Sequence, residues 1–588
     1  MTHPLFSRVY FIWLVLLFVI LQHVTAATAA ASPSTMIVFI DSSSGQDQLN
    51  RCENSVTPCR SITYAIDTYC GSLQPNDYYE PLKCYVVLMN STYDLTSSEI
   101  EKIRHEQEQS RAGYLISSIP NQLNQLYIMS MYRFQQLNLQ TELVSNQMNS
   151  NDDEQVINIH FPEVLSQSYY QFGFITRISS GYIPLSGLSI RNVAHFSLIE
   201  FDTSLVQYGG QLSFILSHNK FEHWSMSVLV QCVMSFYLRG RVMLSIDNCD
   251  FYDIAYREIV SIPNYSLSLR DTTFEGLKGL RFFVFHPIDK LTSPYSVTIN
   301  NISLSNSDIA SFMEFGSGPR SESVRIEVFN SIFQHCESTT IFLLNRPLSF
   351  TMRNCIFDHV KHPVYNLEAS VAPPGQIEEM ELFLSDLQIM NTKGISISTQ
   401  SAYTAMELNN STFKHNQPAM DLTFTRLKFR NNTIEQNSPA LILKQAMTNI
   451  YDSIFHGNSN EKGGAITVSN GGIEVRNSKF SENQAQEGGA CFIEDVYGWN
   501  LFANCIFTHN SALGGIDGLQ RNIQANGGAI AGFTTSIYIF GSTFEENTCI
   551  SANDHPSRGG AIFAQDCSFK TQNNGVFLGN SADEGGAL

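Results

Sequence analysis

The last third of this 588-residue chain repeats a short pattern, and no other feature narrows its folds so far. Phe-x-x-Asn recurs at Phe413/Asn416, Phe455/Asn458, Phe480/Asn483, Phe507/Asn510, Phe544/Asn547 and Phe577/Asn580, with Ile434/Asn437 as a variant copy. Gly-Gly-Ala followed by an apolar residue begins at Gly463-Gly464, Gly488-Gly489, Gly527-Gly528, Gly559-Gly560 and Gly585-Gly586, always after the Phe and Asn. Segments such as IEVRNSKF, LFANCIF and IYIFGSTF lead into the Phe with the two-residue alternation of a strand. Weaker copies run upstream through Asn219-Lys220-Phe221, Asn248–Phe251, Thr273-Phe274, Asn330–Phe333 and Asn354–Phe357, with successive anchors 21 to 37 residues apart except between Phe274 and Phe333 and between Phe357 and Phe413. A unit of that length with short strands and polar turns has no core of its own. Stacked copies share one.

The residue types fit a coil of parallel strands. Equivalent positions lie one strand spacing apart, so inward Phe side chains are expected to form a column of rings. Asn tolerates positive φ at a turn, and stacked amides can hydrogen-bond to one another. Gly-Gly supplies a bend that a side chain would block. The fold predicted is all-β, a single-stranded parallel β-helix (a solenoid) with a short N-terminal capping helix.

F-x-x-N with G-G-A-[ILV] resembles the repeat of chlamydial polymorphic outer membrane proteins, within the pectin-lyase-like right-handed parallel β-helix superfamily. The resemblance is specific over 413–588 and faint over 188–413. It implies a right-handed coil and, by analogy with the bacterial passengers, adhesion to other cells. No barrel-like C-terminal region accompanies the repeats here, which argues against autotransport.

Four regions follow. Residues 1–29 read as a signal peptide: Arg8 precedes an apolar run from Val9 to Leu21, then small residues through Ala29. Residues 36–100 read as an N-terminal cap and first rung, with Ser61 as N-cap of a helix burying Ile62, Ala65, Ile66 and Tyr69, and YVVLMNSTYDL as the first strand. Residues 101–187 read as irregular, loop-rich early rungs, and 188–588 as the β-helix, expected to continue past Leu588 because a bare last rung exposes strand edges. No segment after the signal peptide is apolar enough to span a bilayer.

Twelve cysteines fall into close pairs: Cys52-Cys59, Cys70-Cys84, Cys232-Cys249, Cys336-Cys355, Cys491-Cys505 and Cys549-Cys567. Together with the leader they predict six local disulfides in a secreted or surface-displayed chain. Sequons stand at Asn90, Asn264, Asn301, Asn409, Asn410 and Asn431.

Chemistry is harder to find. The net charge of −19 repels phosphate backbones, which excludes a general nucleic-acid binder. Asp152-Asp153 is the only adjacent Asp pair, and no nucleophile elbow, phosphate loop, HExxH or C-x-x-C occurs. Five histidines share one repeat position, Phe-x-His, at His223, His335, His359, His415 and His509. His335 and His359, on neighbouring rungs, are the candidates for a metal-binding ladder, against the plainer reading of an outward turn position. No cofactor is implied. The reading preferred from sequence is binding of an extracellular glycan or protein. A carbohydrate-active enzyme of pectin-lyase-like fold, or the ectodomain of a membrane protein, are the alternatives.

Overall fold

The computed structural model of the chain describes residues 35–41, 58–69, 83–88, 92–110, 112–116, 125–130, 157–160 and 171–175, and, with short interruptions, 181–588. Two compact units divide it, residues 1–250 and 251–588.

In the first unit the described strands fall into three parallel ladders. One ladder runs Thr35–Ile40, Lys83–Leu88, Gln125–Ser130, Gly181–Ser186, Gln211–Ser217 and Arg241–Asp247. A second holds Thr92–Asp94, Ile157–His160, Leu188–Arg191 and Lys220–Glu222. The third holds Ala112–Ile116, Gln171–Ile175, Phe196–Phe201 and Val228–Cys232. The coil therefore starts a strand earlier than YVVLMNSTYDL, and that segment serves two ladders instead of one. The stretch read as irregular carries regular rungs and a 14-residue helix, Ser97–Ser110, whose polar sequence hides it from a periodicity search.

Helix Ile62–Thr68 buries Ile62, Ala65 and Ile66, and the Ser61 hydroxyl accepts the Tyr64 N–H at 3.1 Å. Glu99, 1% exposed, holds this end together. Its carboxylate accepts from the Ser61 hydroxyl at 3.0 Å, the Thr63 hydroxyl at 2.9 Å, the Tyr93 hydroxyl at 2.8 Å and the Thr96 N–H at 2.9 Å. A buried carboxylate is tolerable only with such a set of donors. Further along, Trp224 fills the core against Phe196 and Phe221, with its indole N–H given to the Ile190 carbonyl at 3.0 Å.

The second unit repeats the same plan more regularly. Its first ladder includes Thr404–Asn409, Thr425–Arg430, Met447–Tyr451, Gly472–Arg476, Trp499–Ala503, Ser536–Phe540 and Ser568–Gln572. Three-residue strands centred on the repeat Phe make the second ladder, from Thr412–Lys414 to Val576–Leu578. Met420–Thr423, Leu441–Lys444, Ile466–Ser469, Cys491–Glu494, Ile530–Phe533 and Ile562–Gln565 make the third.

Inside, Phe455, Phe480, Phe507, Phe544 and Phe577 stack face to face at centroid spacings of 4.6 to 4.9 Å, the spacing the strands impose. The repeat asparagines correct one expectation. None of Asn416, Asn437, Asn458, Asn483, Asn510, Asn547 and Asn580 takes the left-handed turn conformation expected of it. That conformation falls one residue earlier, as at His415, Gln436, Gly457, Glu482, His509, Glu546 and Gly579. It recurs three residues before the Phe, as at Asn410, Asn431, Asp452, Asn477, Asn504 and Asn574.

The repeat Asn faces inward instead, because its amide is needed there to bond carbonyls and other amides that water does not reach. From Asn416 to Asn547 these side chains are buried, and Asn580, on the last rung, is half-buried. The side-chain N–H of Asn458, Asn483, Asn510 and Asn547 each reaches the amide oxygen of the next Asn at 2.9 Å, the run ending on Asn580. The same groups on Asn458, Asn483 and Asn510 bond the Ile434, Phe455 and Phe480 carbonyls at 3.0 Å. Those of Asn547 and Asn580 bond the Phe507 and Phe544 carbonyls at 2.9 Å. The amide ladder is therefore present, but as a core feature. The two glycines divide their labour: Gly488 takes φ +63°, while a Cβ on Gly489 would lie 2.1 Å from the Gly528 carbonyl oxygen.

Candidate functional site

Four of the six cysteine pairs drawn from spacing do not form among the described residues. Cys249, Cys336, Cys355, Cys491, Cys505, Cys549 and Cys567 are not in disulfides, which overturns the pairs Cys232-Cys249, Cys336-Cys355, Cys491-Cys505 and Cys549-Cys567. Register explains it, because the members of each of the last three pairs sit on different columns of the coil. Cys355 and Cys505 occupy the column two residues before the Phe, where other rungs carry Ser331, Ser453, Ser478 and Ser542. Like those serines they turn back on their own strand: Ser478 donates to the Arg476 carbonyl at 2.9 Å, Cys355 to Arg353 at 3.3 Å, Cys505 to Ala503 at 3.4 Å. Cys249 does the same toward the Asp247 carbonyl at 3.4 Å. Cys336 stands instead at the Asn position, Cys491 level with Ile530, and Cys549 level with Ala512. Burial pushes the Cys249 and Cys355 thiols up to about 12, and Cys336, Cys505 and Cys549 up to about 11. They are inert packing groups. Cys59 and Cys84 are disulfide-bonded; Cys52 and Cys70 lie outside the described residues.

The Phe-x-His histidines are turn residues: His223, His335, His359, His415 and His509 all have φ between 52° and 56°. The rings of His335 and His359 stack at 5.4 Å, and His359 leans on Asp358 at 2.8 Å. Among the described residues no group of three or more His, Cys, Asp or Glu is placed to hold a metal ion. Of the sequons, Asn301, Asn410 and Asn431 occupy exposed turns and Asn409 ends a strand. Asn90, Asn264 and the Asp152-Asp153 pair lie outside the described residues, as does the segment 1–29.

The residues the structure does bring together were not singled out by sequence. The residue before each Gly-Gly is stacked through parallel bridges into one column, Lys462, Glu487, Asn526, Arg558 and Glu584. Beside it, the third ladder carries Phe492, Phe533 and Phe563, with ring centroids 5.4 and 5.5 Å apart; Phe492 is 1% exposed beneath Lys462, and Phe533 and Phe563 are partly exposed. Lys462 ties the two sets together. Its ammonium sits 4.3 Å from the centre of the Phe492 ring, 3.9 Å from the Glu487 carboxylate and 3.4 Å from that of Glu494. The two carboxylates therefore approach within about 7 Å of each other. Glu494 also accepts the Ser469 hydroxyl at 3.1 Å, and Glu487 accepts the Asn526 side-chain N–H at 3.1 Å. Asn526 is 6% exposed, and its amide oxygen has no hydrogen-bond partner; nor has the buried Oε1 of neighbouring Gln486. Such atoms are costly unless something donates to them.

Burial raises the Glu487 carboxyl above its ordinary value, against the lowering effects of Asn526 and Lys462. The arrangement combines two partly exposed rings, Phe533 and Phe563, with hydrogen-bond acceptors, one cationic donor and a carboxyl raised by burial. That set can stack on and hydrogen-bond a polyhydroxylated ring. One sequence signal pointed here: the residue before Gly-Gly is charged or amide-bearing in every copy, and Phe follows Gly-Gly-Ala-apolar at Phe492 and Phe563.

No curated protein sequence matches the chain. Among solved structures it is similar to the crystal structure of GH136 lacto-N-biosidase from Eubacterium ramulus (selenomethionine derivative), at 10% identity and a TM-score of 0.19, over 92% of this chain and 68% of that one. Residues 378–548 match the family model described as the right handed beta helix region. The parallel ladders and that match make the fold a right-handed parallel β-helix.

Proposed function

We propose that this chain is an extracellular β-helix that works by binding, and that its ligand is a neutral carbohydrate held on the outer face of the third ladder. The observation that carries the reading is the set of Phe rings flanked by Lys462, Glu487 and Glu494. Sugars present one apolar face and a rim of hydroxyls, which suits aromatic rings bordered by carboxylates. Three acidic side chains, Glu461, Glu487 and Glu494, surround one lysine, and the whole chain carries −19, so uronates and sulfated glycans are disfavoured. The signal-like leader and the adhesin-like repeat support an extracellular setting. Screening the full chain against immobilised neutral and acidic glycans tests the reading. Phe533→Ala and Glu494→Gln should each weaken the best neutral ligand about tenfold. Unchanged affinity in both variants would remove the site.

A second reading is favoured by the raised Glu487 carboxyl, which shares Lys462 with Glu494, since glycoside hydrolysis uses a pair of carboxyls as acid and base. Hydrolysis would appear as new reducing ends from a bound oligosaccharide. Glu487→Gln should abolish that release while the ligand still binds.

A further inference from the structure

We infer that Trp499 and Tyr538, on the outer face of the first ladder, form a second carbohydrate-stacking surface, for neutral pyranose oligomers. Trp499 is 76% exposed, whereas Trp224 is 1% exposed. Trp499 does not stand alone: with the Tyr538 ring and Met447 it makes a contiguous exposed apolar patch, and such patches mark interaction sites. In strand Trp499–Ala503 the inward positions Asn500 and Phe502 are buried, Trp499 is exposed and Leu501 partly exposed. Along the ladder Trp499 is level with Ser536, and Gly472 stands on its other side, close to its backbone. Small neighbours on both sides leave the indole standing clear of the sheet. The Tyr538 ring lies 5.8 Å away, on the next strand, tilted by 39°. Met447, 61% exposed, lies beyond Gly472 and extends the apolar surface.

The rim selects the occupant. Leu501 is level with Glu474, which is paired with Arg476, and Tyr538 is level with Lys570. Both signs of charge border the rings, so neither an anion nor a cation is preferred, whereas hydroxyls can give and accept hydrogen bonds around the edge. A second copy of the chain fits less well. Protein interfaces need about 800 Å² per partner with an uncharged centre, and charged side chains interrupt this face within one strand of the rings. Trp and Tyr offer large rigid surfaces at small entropic cost, which suits a weak ligand contacted by few residues. The pair stands on a different ladder from Lys462, Glu487 and Glu494, and its ligand-binding does not depend on that site.

Intrinsic fluorescence of the full chain, titrated with cello-, xylo- and chito-oligosaccharides, reads this surface as the part of the response that Trp499→Ala removes, since Trp224 is buried and Trp13 lies in the leader. At least one oligomer should shift the emission saturably. Trp499→Ala should weaken its binding, measured by calorimetry, by about tenfold, Tyr538→Ala by several-fold, and Leu280→Ala, an exposed apolar residue on another rung, not at all. Because Trp499 is exposed, the variant should keep the wild-type circular dichroism and melting temperature. Silence toward every oligomer, or affinity indifferent to Trp499→Ala, overturns the inference. So does a wild-type dimer in sedimentation that Trp499→Ala turns into a monomer, which would give the face to a second copy.

Discussion

A serine column that admits cysteine explains why spacing misleads at the level of single residues. The position two before the Phe needs a small side chain with one hydrogen to return to its own strand, and Ser453, Ser478 and Cys505 all meet that need. Cys505→Ser should therefore change the unfolding midpoint by less than the equivalent of about 1 kcal/mol in urea, where loss of a native disulfide would cost about 2–5. A larger loss would show that the thiol is doing more than a hydroxyl can. His362 makes a second test. Burial lowers it to about 4, assisted by Lys361 and Lys393, and its Nδ1 is buried with no hydrogen-bond partner. Its unfolded value lies near 6.5, so the unfolded chain takes up the proton first as pH falls. The stability it contributes is complete above about pH 6.5 and is lost as pH drops toward 4. Melting curves at pH 7 and 4.5 should show a smaller drop for His362→Gln than for the wild type; equal drops would contradict this.

Strands and turns were more legible than sites, because some positions accept a single residue type. The ring column at Phe455, Phe480 and Phe507 and the paired glycines are written in the sequence as identities that recur. The recurring Asn was legible as an identity and misread as a turn: Asn547 and Asn580 repeat for their inward amides, while the turn beside them is made by Glu546 and Gly579. Where several types serve one position the frame fades: the column of Asn437 and Asn458 is continued upstream by Thr392, Val360 and Cys336. The helix Ser97–Ser110 was missed for a different reason, its weak segregation of apolar residues. The carboxylate-aromatic cluster left only a faint signal, because the repeat fixes the character and not the identity of its members, and Lys462 reaches Glu494 across 32 residues. The glycine positions give a clean contrast. A Cβ on Gly489 meets the Gly528 carbonyl at 2.1 Å, while one on Gly498 meets nothing nearer than 3.9 Å. Gly489→Ala should lower the urea midpoint strongly or prevent folding, and Gly498→Ala should leave it within the equivalent of about 0.5 kcal/mol. Similar behaviour of the two would refute the account of the turn.

For the molecule as a whole, excess negative charge sets which ligands can approach. Neutral oligosaccharides should bind with affinities that change less than about twofold between 50 and 500 mM salt, since no ion release accompanies them. Heparin or polygalacturonate should fail to compete at low salt, and effective competition by either would reverse the assignment of ligand class. The most regular part of the coil has one more consequence. From Asn410 to Asn431, from Ser411 to Asn432 and from Asn416 to Asn437 the step is the same 21 residues. Every ladder partner is thus matched by adding or removing one 21-residue block, because each side chain bonds only to the rungs beside it. Gene segments of that length can be duplicated or lost without disturbing any frame of contacts, so the length of the protein is free to vary in evolution by whole turns.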